Sequence, residues 1–153
     1  MRVRVKVEHP LRRGEMRRLK RSAARMLKEL FPSGGLELSI ALVDETEIKR
    51  LNSRYLHRDE PTDVLAFPQM SPGEIDDLAA GRRAALEPLG DIVICVPVAE
   101  RQAKERGSTE AEELELLAAH GLLHLGGYDD ETGESAAVMA EMEMRLLGRS
   151  IIG

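Results

Sequence analysis

The stretch that most limits what this chain can fold into is His120-Gly-Leu-Leu-His124-Leu-Gly-Gly-Tyr-Asp129-Asp130. Histidines four apart stand one helical turn apart and project from the same side of a helix. The residues before them, Glu110-Ala-Glu-Glu-Leu-Glu-Leu-Leu-Ala-Ala, are strong helix formers. Ser108 or Thr109 can cap the start, and acidic residues in the first turn suit the positive end of the helix dipole. The helix therefore carries both imidazoles near its C-terminus, where Gly126-Gly127 stops it and lets the chain reverse. That reversal brings Asp130, six residues past His124, back toward the imidazoles. The expectation is a divalent-metal site of His120, His124 and Asp130 with room left for water. Packing alone explains one histidine on an apolar helix, but not a pair followed by Gly-Gly and two aspartates. Only four histidines exist, so Asp129 or His57 are the alternatives to Asp130 as third ligand.

Composition sets the outer bounds. A chain of 153 residues, 42% apolar and 32% charged, reads as one ordinary globular domain spanning residues 1–153. No apolar run approaches the ~20 residues needed to cross a membrane, and the charged start lacks the apolar core of a signal peptide. The single cysteine, Cys95, excludes an internal disulfide and suits a reducing, cytoplasmic setting. It lies in the run Ile92-Val-Ile-Cys-Val96, where a small buried hydrophobe is the better reading. The net charge of −5 hides an uneven distribution: residues 1–30 carry eleven Lys or Arg against three Glu, and the other 123 carry eleven against 24 acidic residues. A positive surface on an otherwise acidic protein suits a phosphate backbone. A solvated amphipathic helix is the plainer explanation of the same charges.

Taken in order, residues 1–8 alternate Val with Arg or Lys, the pattern of a half-buried strand whose charges protect an edge. Apolar residues at helical spacing follow from about Gly14 to Leu30, then a turn at Pro32-Ser-Gly-Gly. A second strand covers Leu36 to Leu42, and Asp44 caps a helix from Glu45 to about Asn52. Val64 to Phe67 is a short strand, and residues 69–89 form an irregular excursion with a short helix at Ile75 to Ala80. Leu89 to Val96 is apolar enough for an interior strand. Helices follow at Pro97–Arg106, before and through the histidines, and from Ser135 to Leu147. The expected fold class is α+β, with about four strands in a mixed sheet and about five helices.

The histidine segment resembles the YbeY family of bacterial metal-dependent endoribonucleases, whose pattern reads His-Gly-x-Leu-His-Leu-x-Gly-Tyr-Asp-His. His120 to Asp129 fit its first ten positions, and Asp130 replaces the last histidine. Leu51-Asn52 with Pro61-Thr-Asp-Val-Leu-Ala-Phe67 is a second match, and Gly90-Asp91-Ile92 a third. The resemblance implies a zincin-like layered domain and a single-strand-specific endoribonuclease of the cytoplasm. Its implied role is rRNA processing, at the 3′ end of small-subunit rRNA, and ribosome biogenesis and quality control. Small-subunit ribosomal proteins and an assembly GTPase are the implied partners, with rRNA. The metal implied is zinc, although an aspartate in place of the third histidine also suits manganese or magnesium and leaves a bound water less acidic. Many members have Arg directly after Tyr55, where this chain has Leu56; Arg58 or Arg54 would then supply the phosphate-binding cation, Arg58 first. Asp91 could orient a ligand or simply anchor a strand; Glu131 and Glu134 read as first-turn charges of the last helix, though one could brace an imidazole.

Two other classes stay open. One is a non-catalytic RNA-binding assembly factor with a structural metal, although structural zinc sites usually have four protein ligands rather than three. The other is a metal-dependent hydrolase of another substrate, such as a peptide. Gly121 stands where the metalloprotease motif has its glutamate base, which counts against that reading. Two Tyr, two Phe and no Trp leave few platforms for stacking bases.

Overall fold

In β2 (Leu36–Val43), Leu36, Leu38, Ile40 and Leu42 alternate onto one face and are fully buried in the main core. The computed structural model describes residues 2–7, 9, 11, 13–32, 35–81 and 87–148. β2 sits between β1 (Arg2–Val7) and β4 (Glu87–Cys95), parallel to both. β3 (Val64–Pro68) pairs antiparallel with β4, so the sheet order is β1-β2-β4-β3. β1 is an edge, β4 is interior, and the sheet is mixed, as the sequence patterns imply.

Among the described residues six helices flank the sheet: α1 (Arg13–Leu30), α2 (Glu45–Leu56), α3 (Pro72–Ala79), α4 (Val96–Arg106), α5 (Glu110–Leu125) and α6 (Gly133–Leu147). Leu19, Ala23, Met26 and Leu27 of α1 join the core that β2, β4 and α5 share. On the other sheet face, Ile48 of α2 packs with Val43, Leu65, Val93 and Cys95. Cys95 is the small buried hydrophobe expected there, and burial raises its thiol pKa. α5 lies in the middle of the domain, against α1, α4, α6, β3 and β4.

Local chemistry moved several boundaries. α2 runs four residues past Asn52, because the buried Asn52 donates to Glu60 O and ties the following loop back to the helix. Its end is His57, which takes the left-handed conformation at φ 58°. The excursion at 69–89 contains a helix that starts earlier than Ile75, since Ser71 and Glu74 form a capping box and Pro72 occupies the first turn. α6 likewise starts at Gly133 because Thr132, not a residue nearer Ser135, is the cap. The turn at Ser33-Gly34, residues 82–86 and the chain beyond Gly148 lie outside the described residues.

Candidate metal centre

α5 is fixed at both ends by its own sequence. Thr109 and Glu112 form a reciprocal capping box at the start. At the other end Gly127 N–H donates to His124 O and Tyr128 N–H to Leu123 O, the paired bonds of a Schellman turn. Gly127 sits at φ 96°, a conformation that disfavours any side chain, so the Gly-Gly signal has a direct cause. Tyr128 then packs on the main core, and the chain leads back past the end of the helix.

That geometry gathers the three expected ligands. Donor atoms of His120, His124 and Asp130 all lie within 4.8 Å of one another. His124 Nε2 is 3.1 Å from His120 Nε2, and His120 Nε2 is 3.9 Å from Asp130 Oδ2. Two imidazole nitrogens that close repel unless a proton or a cation lies between them. Two ligand bonds of about 2.0–2.1 Å at a tetrahedral metal put their nitrogens roughly 3.3 Å apart, so the spacing fits a metal pair. Both rings are partly exposed and Asp130 is exposed, which leaves one side open to water.

Glu143 of α6 completes the arrangement. Its Oε1 lies 2.5 Å from His120 Nδ1, which places the ring proton on Nδ1 and leaves Nε2 as a lone pair facing the cluster. Glu143 is only 7% exposed, so this pairing is shielded from water. It holds the His120 pKa above its usual value; burial opposes the shift, and the charges of Asp130 and Asp63 add to it. Glu134 is the first-turn charge of α6 that the sequence implies, and Glu131 and Glu134 are both exposed, so neither braces an imidazole. The signal for Glu143 was available: it lies on the same helical stripe as Met139, Leu146 and Leu147, where a carboxylate is out of place without a partner.

The other candidates take different places. Asp129 accepts from Glu131 N–H, and its pKa is lowered chiefly by a hydrogen bond from Ser135, so it braces the loop rather than joining the cluster. His57 caps α2. Arg58 follows it with an exposed side chain, and Arg54 lays its guanidinium 5.4 Å from the centre of the Tyr55 ring. Asp91 accepts from Gln69 Nε2 at 2.7 Å and lines a cavity of about 540 Å³ on the sheet side that carries α2. Tyr55 and Phe67, half of the chain's Tyr and Phe residues, meet edge to face at the same cavity. Asp63, of the matched Pro-Thr-Asp segment, spends its carboxylate on Val64 N–H and Gln102 Nε2.

Gly121 also has a steric cause. A Cβ there would lie 2.8 Å from Ile92 Cγ2, so α5 meets the sheet by close approach. The glutamate base of the metalloprotease motif would have to occupy this contact with β4.

Comparison with known proteins shows the family and the fold. Residues 5–150 match the family profile described as Endoribonuclease YbeY. A protein of that name from Alkalilimnicola ehrlichii is 44% identical over 115 residues, covering 75% of this chain and 65% of its own. Another from Gloeobacter violaceus is 48% identical over 123 residues, covering 79% and 60%. The chain thus spans under two thirds of the length of these two relatives. The solution structure of TM1509 from Thermotoga maritima is similar at a TM-score of 0.59, with 28% identity over 96% of this chain and 90% of that one. With a profile match over nearly its whole length, this chain belongs to the YbeY family.

Proposed function

We propose that the chain is a metal-dependent endoribonuclease that cleaves single-stranded RNA, acting in rRNA processing at the 3′ end of small-subunit rRNA and in ribosome biogenesis. The observation that carries the reading is the cluster of His120, His124 and Asp130 on and just after one central helix. Family membership supplies the reaction class, since the relatives are named as endoribonucleases. Three protein donors leave coordination positions free, which suits catalysis better than a closed structural site. No helix is long and apolar enough to cross a membrane among the described residues.

In this reading His120, His124 and Asp130 hold one divalent ion, zinc or, given the aspartate, manganese. When bound, such an ion supplies positive charge to the phosphate in the transition state and a more acidic water. The chain's own residues do the positioning. Glu143 holds the proton at His120 Nδ1 and fixes the ring plane, and the Schellman turn holds Asp130 on its loop. Arg58, from the loop after α2, is assigned to the phosphate oxygens, with Arg54 as its alternative. The cytoplasmic setting and the ribosomal-protein and GTPase partners belong to the same proposal.

The test uses untagged wild type and His124→Ala purified in parallel, stripped of metal, then supplied with zinc or manganese and given a single-stranded RNA. Cleavage by metal-loaded wild type alone is the expected result and names the productive ion. Equal cleavage by both proteins exposes a contaminating nuclease. RNA bound but uncut by either shifts the function to a non-catalytic assembly factor.

A further inference from the structure

α1 carries more positive charge than its fold needs. Its sequence holds seven Lys or Arg and two Glu. At 3.6 residues per turn, Arg13, Arg17, Lys20, Arg21 and Lys28 fall within an arc of about 100°, and the stripe runs about 22 Å along the axis. All five are exposed, and Leu19, Ser22, Ala23, Met26 and Leu27 occupy the opposite, buried side. The two remaining arginines lie beyond one edge of the arc and are engaged. Arg18 donates through Nε and Nη2 to Glu115, and Arg25 Nη1 to Leu146 O. Among the described residues, no ion pair holds any of the five outward cations.

We infer that this outward face of α1 is an RNA-backbone-binding surface, distinct from the metal centre and gripping phosphates beyond the cleaved segment. The inference rests on the RNA reading above. Chemistry separates this occupant from an acidic protein. Protein interfaces centre on aromatic and aliphatic anchors and avoid lysine, and the stripe offers only Ala24 between its cations. Phosphates need neither anchor nor pocket, and each neutralised phosphate releases counterions, which makes a ladder of separated cations effective. Position also matters. α1 meets α5 through Glu115, five residues before His120, and its basic face looks away from that contact. With helix axes about 8–10 Å apart and about 5 Å more to the outer surface, the stripe lies roughly 13–15 Å from the axis of α5. It can therefore hold RNA without touching the reacting phosphate.

The experiment measures binding of metal-loaded full-length protein to a labelled RNA hairpin bearing a single-stranded tail, by fluorescence anisotropy across a salt series. The variants are Arg17→Gln/Lys20→Gln/Arg21→Gln and, as the charge-preserving control, Arg17→Lys/Arg21→Lys. Three lost contacts reduce the slope of log affinity against log salt by about 2–3. Between about 50 and about 200 mM salt, wild type then loses roughly 20- to 40-fold more affinity than the glutamine variant. The lysine control keeps the wild-type slope, and cleavage of a short tail-only RNA keeps its rate in both variants. Parallel slopes for wild type and the glutamine variant would overturn the inference. So would poly-glutamate displacing the RNA as readily as unlabelled RNA does, which would make the face a site for acidic protein. Failure of the catalytic reading shows separately, as a salt-dependent difference in binding with no cleavage by wild type.

Discussion

Glu143→Gln is the substitution that tests the metal centre most directly. The glutamine keeps the size of the side chain and removes the charge that now faces His120 Nδ1 at 2.5 Å. Hydrogen bonds to an ionised acceptor are roughly twice as strong as neutral ones, and glutamine can also turn its amide to donate, which would push the ring proton onto Nε2. That tautomer has no lone pair on Nε2, the nitrogen that faces the other ligands. Carboxylate braces behind metal-binding histidines are typically worth about 10–100-fold in affinity, or about 1.4–2.8 kcal/mol. Glu143 is 7% exposed, so no water stands ready to replace it, and the upper half of that range is expected, about 30–100-fold. The assay is competition for zinc and manganese against a chromophoric chelator, with far-ultraviolet circular dichroism confirming the fold. A change in Kd of less than about threefold would refute the assignment of Glu143 as the group that sets the His120 tautomer.

Three further outcomes follow from contacts away from the ligands. Gly121→Ala drives a methyl into Ile92 at the helix–sheet contact; overpacking of this kind costs about 1–3 kcal/mol, which for a domain of this size lowers Tm by about 3–10 °C. An unchanged melting curve would mean that α5 and β4 separate freely. Glu115→Ala removes the buried carboxylate that accepts from Arg18 and Ser22 and so unties α1 from α5; a loss of about 1–3 kcal/mol is expected in urea titration, moderated because Arg18 is partly solvated. Burial raises the Cys95 thiol pKa above its ordinary value, so the folded protein keeps its proton after the unfolded chain has lost it. The stability of wild type relative to Cys95→Ala is therefore constant below about pH 8.5 and falls as pH rises past that unfolded value toward the higher folded one; a flat difference up to pH 10 would show the thiol solvated in the fold.

Much of this architecture was written in short-range patterns. Period-two alternation marked β2, and the i, i+4 histidines, the glycine pair and the aspartates were all local signals for α5 and its turn. The edge and interior places of β1 and β4 followed from charge and from continuous apolarity. What stayed hidden depended on contacts between separate elements. Glu143 is an acceptor only because α6 packs beside α5; its place on an apolar stripe marks it as needing a partner but does not say which one. The length of α2 turned on Asn52 reaching Glu60, a bond that propensity does not encode. Asp91 was ambiguous for a similar reason: its neighbour Ile92 faces α5, so pleating aims Asp91 toward the α2 side, where Gln69 meets it. The low aromatic count concealed that Tyr55 and Phe67 are neighbours.

The placement of Glu143 has a consequence for how the domain assembles. The candidate ligands and their brace lie within 23 positions along the chain, on two neighbouring helices and the loop between them. Contacts so close in sequence form with little loop-closure entropy, before parallel strands such as β1, β2 and β4 can find their registers. A metal bound there clamps the α5–α6 hairpin and not the whole domain. Its removal should therefore raise amide exchange in the turn and in the facing ends of those two helices, while the strands exchange as before.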